Sequence, residues 1–115
     1  MSFRWPSKDP DEQLDYSVDW SRFLVSATIS TVQWFVKSKA YGTKTELEAG
    51  ETLTVASSTA ATDSIQNVSQ TNSTTVATIN IGGGINNEEY TFFCRMIDST
   101  GSQAERSIKL KVKEK

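Results

Sequence analysis

Few residues in this chain have types and spacings suited to chemistry. Cys94 is the only thiol among 115 residues, and histidine is absent. A nucleophilic cysteine needs a base to hold it as thiolate, and the commonest base and commonest metal ligand are both histidine. Ser–His and Cys–His nucleophile pairs are excluded with it. Cys94 therefore reads as a small buried hydrophobe, and being alone it forms no intrachain disulfide. Asp9, Asp11, Glu12 and Asp15 could offer oxygens to calcium, but they lack the spacing and the glycine of an EF-hand loop. They read as a solvated acidic turn, and no metal is expected. Gly82-Gly83-Gly84 lacks the Lys-Ser/Thr that follows in a phosphate-binding loop and reads as a strand-ending kink. No catalytic residue and no cofactor are expected, so the chain reads as a non-enzyme.

What remains is a surface for binding. Phe3 and Trp5 flank Arg4, and these residue types dominate interface hot spots. Phe93 with Arg95 repeats the combination. Phe3, Arg4, Trp5, Phe93 and Arg95 are thus the candidate partner-binding residues. A second reading stays open for Phe3 and Trp5, that they fold back over the domain's own core. The alternating lysines 109, 111, 113 and 115 suit a terminal strand guarded against edge-to-edge pairing. A net charge of −2 gives no electrostatic reason to expect nucleic acid or an anionic membrane as partner. No apolar run approaches the ~20 residues that span a bilayer. The Met1-Ser2-Phe3 start lacks the basic and apolar regions of a signal peptide, so export by that route is not expected.

Strands must position these residues. Leu14, Tyr16, Val18 and Trp20 alternate with Gln13, Asp15, Ser17 and Asp19, the period of a strand with one buried face. Similar alternation places strands at about 12–19, 26–37, 52–55, 64–69, 75–81, 89–97 and 105–112. Asp19 to Leu24 reads as a turn or a single helical turn. Turns fall at Tyr41-Gly42-Thr43, Glu48 to Glu51, Thr71 to Ser73 and Asp98-Ser99-Thr100-Gly101, and 57–63 reads as a loop. In the strand at 89–97, Tyr90, Phe92, Cys94 and Met96 share one face, with Phe93 and Arg95 on the other. Seven short strands without a convincing helix predict an all-β, immunoglobulin-like antiparallel β-sandwich. Tyr90-x-x-x-Cys94 with Trp34 upstream echoes the Tyr, Cys and Trp of such domains. The eleven aromatics can anchor a single core in a chain of this length. Residues 1–10, with two prolines and no periodicity, read as an extended arm outside the sandwich, and 11–115 as the domain.

The chain resembles the phage fibre–tail adaptor proteins, a family of small virion components. The resemblance begins at Lys8-Asp9-Pro10 and Leu14-Asp15-Tyr16, and continues through Asp19-Trp20-Ser21 and Ala27-Thr28-Ile29. It resumes at the glycine-rich loop before Glu89-Tyr90-Thr91, and ends with Gly101, Glu105-Arg106-Ser107 and Val112-Lys113-Glu114. This chain has a longer, Ser/Thr-rich middle where the family has a short proline-containing turn. The resemblance implies an immunoglobulin-like module in the virion tail, assembled in the host cytoplasm, that binds tail and tail-fibre subunits. The expected arrangement is several copies around the tail axis, with no nucleic acid or membrane as partner. Two other functions fit the composition. One is an immunoglobulin-like capsid decoration protein; the other is a carbohydrate-binding module with exposed aromatics as sugar platforms.

Overall fold

The computed structural model, which describes residues 3–38, 44–52 and 65–114, gathers the alternating segments into two sheets. The strands are β1 (Phe3–Arg4), β2 (Leu14–Asp19), β3 (Ile29–Ser38), β4 (Thr45–Glu46), β5 (Gln66–Asn72), β6 (Val76–Gly82), β7 (Glu89–Asp98) and β8 (Gln103–Lys111). A single helical turn, α1 (Ser21–Leu24), follows β2. One sheet has the order β1-β8-β7-β3-β4 and the other β2-β6-β5. All pairs are antiparallel except β1, which runs parallel to β8. Strands β2, β6 and β5 take the places of B, E and D in an immunoglobulin domain, and β3, β7 and β8 those of C, F and G. The β4 strand extends the five-stranded sheet beside β3. The expected immunoglobulin-like β-sandwich is therefore the fold.

Two strands exceed the sequence expectation, because β1 and β4 are two residues each and too short to show a period. At Thr52 there is an isolated bridge to Gln66; the rest of the strand expected at 52–55 lies outside the described residues. So do the turn expected at Tyr41-Gly42-Thr43 and the loop at 57–63. The β5 strand runs three residues past its expected end, so its turn falls at 73–75 rather than 71–73. Its sequence, Gln66-Asn67-Val68-Ser69-Gln70-Thr71-Asn72, is mostly polar; six register pairs with β6 hold it extended.

Burial alternates along the whole of β7, with Tyr90, Phe92, Cys94, Met96 and Asp98 inside. Trp34 lies opposite Cys94 and Val36 opposite Phe92, while Ile108 and Leu110 continue the inner face on β8. Tyr16, Val18, Ala77, Ile79 and Ile81 of the other sheet close the core. Tyr90 stands at the start of β7, and its hydroxyl accepts a hydrogen bond from the Ile85 N–H at 2.9 Å. That is the tyrosine corner by which such sandwiches tie this strand to the preceding loop. No disulfide bridges the sheets. Cys94 is a free thiol buried in the core. Burial pushes the thiol up to about 12, which leaves it protonated and inert.

The glycine run ends β6 as expected. Gly83 and Gly84 have φ of 68° and 104°, and a Cβ on Gly84 would stand 2.7 Å from Val112 Cγ2. Glycine is required there both by the backbone conformation and by the close approach of Val112.

Candidate functional site

The outer face of the five-stranded sheet is built in rows that cross the strands. Phe35 of β3 lies opposite Phe93 of β7, with Glu46 of β4 and Ser107 of β8 on either side. The neighbouring row holds Gln33, Arg95 and Glu105. Both phenylalanines are half-buried, and among the described residues no other strand or helix packs over them. Lys44, just before β4, lies over both rings, with Nζ 5.0 Å from the Phe35 centroid and 4.5 Å from that of Phe93. The Arg95 guanidinium stands 4.5 Å from the Phe35 centroid. The negative face of an aromatic ring attracts such cations.

Glu105 joins the two cations, at 2.8 Å from Lys44 Nζ and 3.2 Å from Arg95. Partial desolvation works against its charge, but the contacts with Lys44 and Arg95 prevail and hold the carboxyl below the usual carboxylate range. The result is a pre-assembled group of two rings, two cations and one carboxylate. Of these, Phe93 and Arg95 are the expected residues. Phe35, Lys44 and Glu105 were missed, although Phe35 alternates outward with Gln33 and Lys37 in the sequence. Lys44 carries no such signal, because only the fold brings it over rings from two strands.

The arm residues divide. The backbone of Phe3 pairs with Ile108 at the outer edge of β8. Arg4, beside Lys109, is exposed and reaches across β8 to Glu89 at 3.0 Å. Its position places it on the same outer face as Phe93 and Arg95. Trp5 turns inward, stacked on Tyr16 with ring centroids 4.8 Å apart and close to Trp34 and Phe92. Its indole N–H donates to the Ser17 carbonyl at 3.2 Å. Of the two readings open for Trp5, the structure takes the second, a cap on the core. Tyr16 adds its hydroxyl, which donates to the Pro6 carbonyl at 3.1 Å; burial, with Glu12 nearby, raises its pKa to about 12.

Lys8 fixes the arm further on. It is fully buried, and its ammonium donates to the carbonyls of Asp9 and Gly83. Its backbone bonds to Lys111 and Lys113, extending the parallel edge begun by β1. The acidic group beyond it is a turn: Asp9 Oδ1 accepts from the Asp11 N–H, and Glu12 Oε1 accepts from the Asp9 N–H, each at 2.9 Å. These carboxylates are thus occupied in holding the chain's own backbone.

Three apolar side chains, Phe23, Val25 and Ile85, sit elsewhere on the surface. Phe23 and Val25, at the end of α1, are exposed, and Val25 is held at φ 56°. Phe23 meets Trp20 edge-on, with ring centroids 5.9 Å apart.

The model of one protein family, the podophage GP4 fiber-tail adaptor protein gp77, matches residues 8–111. No curated protein matches the chain. The matched span starts at the buried Lys8 and ends with β8, so it takes in every strand but β1, the aromatic–cation group and the Tyr90 corner. The chain belongs to the podophage GP4 fiber-tail adaptor protein gp77 family.

Proposed function

We propose that this protein is a non-enzymatic virion component that attaches tail fibres to the phage tail through protein–protein contacts. Its site is the outer face of the five-stranded sheet, centred on Phe93 and Arg95. The observation that carries this reading is the group formed by Phe35, Phe93, Lys44, Arg95 and Glu105. Aromatic and arginine side chains of this kind make interface hot spots when a partner completes their burial. Here they are already fixed by ring and ion-pair contacts, so docking orders little more. Arg4 contributes from the edge of the same face. Assembly in the host cytoplasm, in several copies around the tail axis, agrees with a cysteine kept as a buried thiol.

The test is a phage carrying Phe93→Ala and Arg95→Ala. Purified particles should lack fibres while the isolated variant keeps its β-sheet circular dichroism and cooperative melting. Particles with a full fibre complement would overturn the site. Counting copies per particle separates the adaptor from capsid decoration, which needs hundreds. A sugar platform is disfavoured by the same geometry, since Trp5 is turned inward and cations lie over the Phe35 and Phe93 rings.

A further inference from the structure

We infer that the partner received by this face is an acidic protein surface whose carboxylates engage a row of cations beside the aromatic pair. The inference rests on the docking reading above and adds the partner's chemistry. The row crosses four strands: Lys37 of β3, Thr91 of β7, Lys109 of β8 and Arg4 of β1 are aligned in register. With strands ~4.8 Å apart, the Lys37 and Lys109 backbones stand roughly 10 Å from each other across Thr91. A carboxylate placed above Thr91 is within reach of both flexible ammonium groups. Arg4 is paired with Glu89, but neither Lys37 nor Lys109 has a counter-ion or hydrogen bond from its side chain among the described residues.

The distribution of charge supports the same conclusion. Arg4, Lys37, Lys44, Arg95, Lys109 and Lys111 place six of the chain's twelve basic residues on this face. Among the described residues only Glu46, Glu89 and Glu105 of the acids accompany them. The face therefore carries +3 and the other described residues −6, a separation that the net charge of −2 conceals. The opposite outer face, on the three-stranded sheet, shows Asp15, Ser17, Asp19, Ser69, Thr71, Thr78 and Asn80 in register, with no cation and no aromatic among the described strand residues. It is an ordinary wet surface of a sheet.

A nucleic acid is the less favoured polyanion. Single strands bind by stacking bases on open rings in a positive groove, whereas these rings are overlaid by Lys44 and Arg95 in a chain of negative net charge. A protein carboxylate patch feels chiefly the local field of the face, because distant charges are screened beyond about 8 Å at physiological salt.

The experiment is an amide NMR titration of the full chain with a short Glu-rich peptide containing one tyrosine. Saturable shifts are expected at Lys37, Thr91, Phe93 and Lys109, weakening as salt is added. Reversing both lysines, Lys37→Glu with Lys109→Glu, should lower affinity about tenfold, the combined effect of two exposed ion pairs. The pair Lys37→Arg and Lys109→Arg should stay within about twofold, which separates charge from any loss of folding. Shifts that are absent, that fall on the Asp15 and Asp19 face, or that ignore charge reversal would overturn the inference. So would tighter binding of an oligothymidylate of equal charge, or self-association through this face, which would name nucleic acid or a second copy instead. Fibre loss from the Phe93→Ala, Arg95→Ala particles without peptide binding would leave the docking role standing and refute its acidic partner alone.

Discussion

Replacing Trp5 with alanine tests whether the arm belongs to the core. In the native structure the indole stacks on Tyr16 at 4.8 Å, approaches Phe92 at 5.7 Å and Trp34 at 5.9 Å, and donates to Ser17. Deleting a fully buried tryptophan side chain costs about 3–5 kcal/mol. Trp5 is only partly buried, which roughly halves that figure, while the lost hydrogen bond adds about 1 kcal/mol. The expected cost is about 3 kcal/mol. A domain of this size melts with an entropy of about 0.24 kcal/mol/K, so the melting temperature should fall by about 12 °C. Urea titration followed by circular dichroism measures the first quantity and thermal melting the second. Arg4→Ala is the control, since its exposed pair with Glu89 is worth less than about 1 kcal/mol. If Trp5→Ala destabilises by no more than Arg4→Ala, the indole contributes nothing to the core and the packing argument is wrong.

Two further tests address the ends of strands. Gly84→Ala combines a φ of 104° with a Cβ 2.7 Å from Val112, and should destabilise by about 2 kcal/mol or more; a neutral result in urea would show that the loop moves freely. Asp98 Oδ1 accepts hydrogen bonds from the Thr100 hydroxyl and from the N–H groups of Thr100 and Ser102. The Thr100 hydroxyl leads in holding its pKa below the usual carboxylate range, against some desolvation. A depressed folded-state pKa means that the ionised group stabilises the fold above about pH 4, and that this contribution is lost as pH falls through the folded value. Stability of the native protein should therefore drop on acidification more steeply than that of Asp98→Asn, and parallel pH curves would refute the role of the carboxylate.

Much of this was legible because period and turn chemistry are local. Tyr90 to Met96 and Ile108 to Val112 announce their inner faces by alternation, and the outward positions of Phe93 and Arg95 follow directly. Asp98-Ser99-Thr100-Gly101 announces its turn through a side chain that accepts from its own backbone. The missing parts depend on residues far apart in the chain. Lys8, between Ser7 and Asp9, looks solvated; its burial becomes intelligible once the fold brings the Gly83 carbonyl to its ammonium. Trp5 offers the same difficulty, since an indole suits a core and an interface equally well. The candidate site was half visible for a related reason: Phe93 and Arg95 lie on one strand, whereas Lys44 reaches them across Phe35.

The placement of the arm changes what its removal can show. A free arm could be cut away to leave a folded domain that no longer joins the particle. Here residues 3–8 extend the edge of β8, and Trp5 covers part of the core. Deleting 1–7 would remove this cap together with Arg4, so failed assembly would report lost stability as readily as a lost contact. The core contact and the exposed cation nevertheless fall on opposite sides of the arm, because successive side chains of extended backbone alternate between its faces. Trp5 anchors the strand from inside; that anchor presents Arg4 to the outer face, in register with Lys109. Arg4→Ala separates attachment from folding, and Trp5→Phe would weaken the anchor while leaving Arg4 in place. In this family member the arm acts as an edge strand, whose inward residue fixes the position of its outward residue.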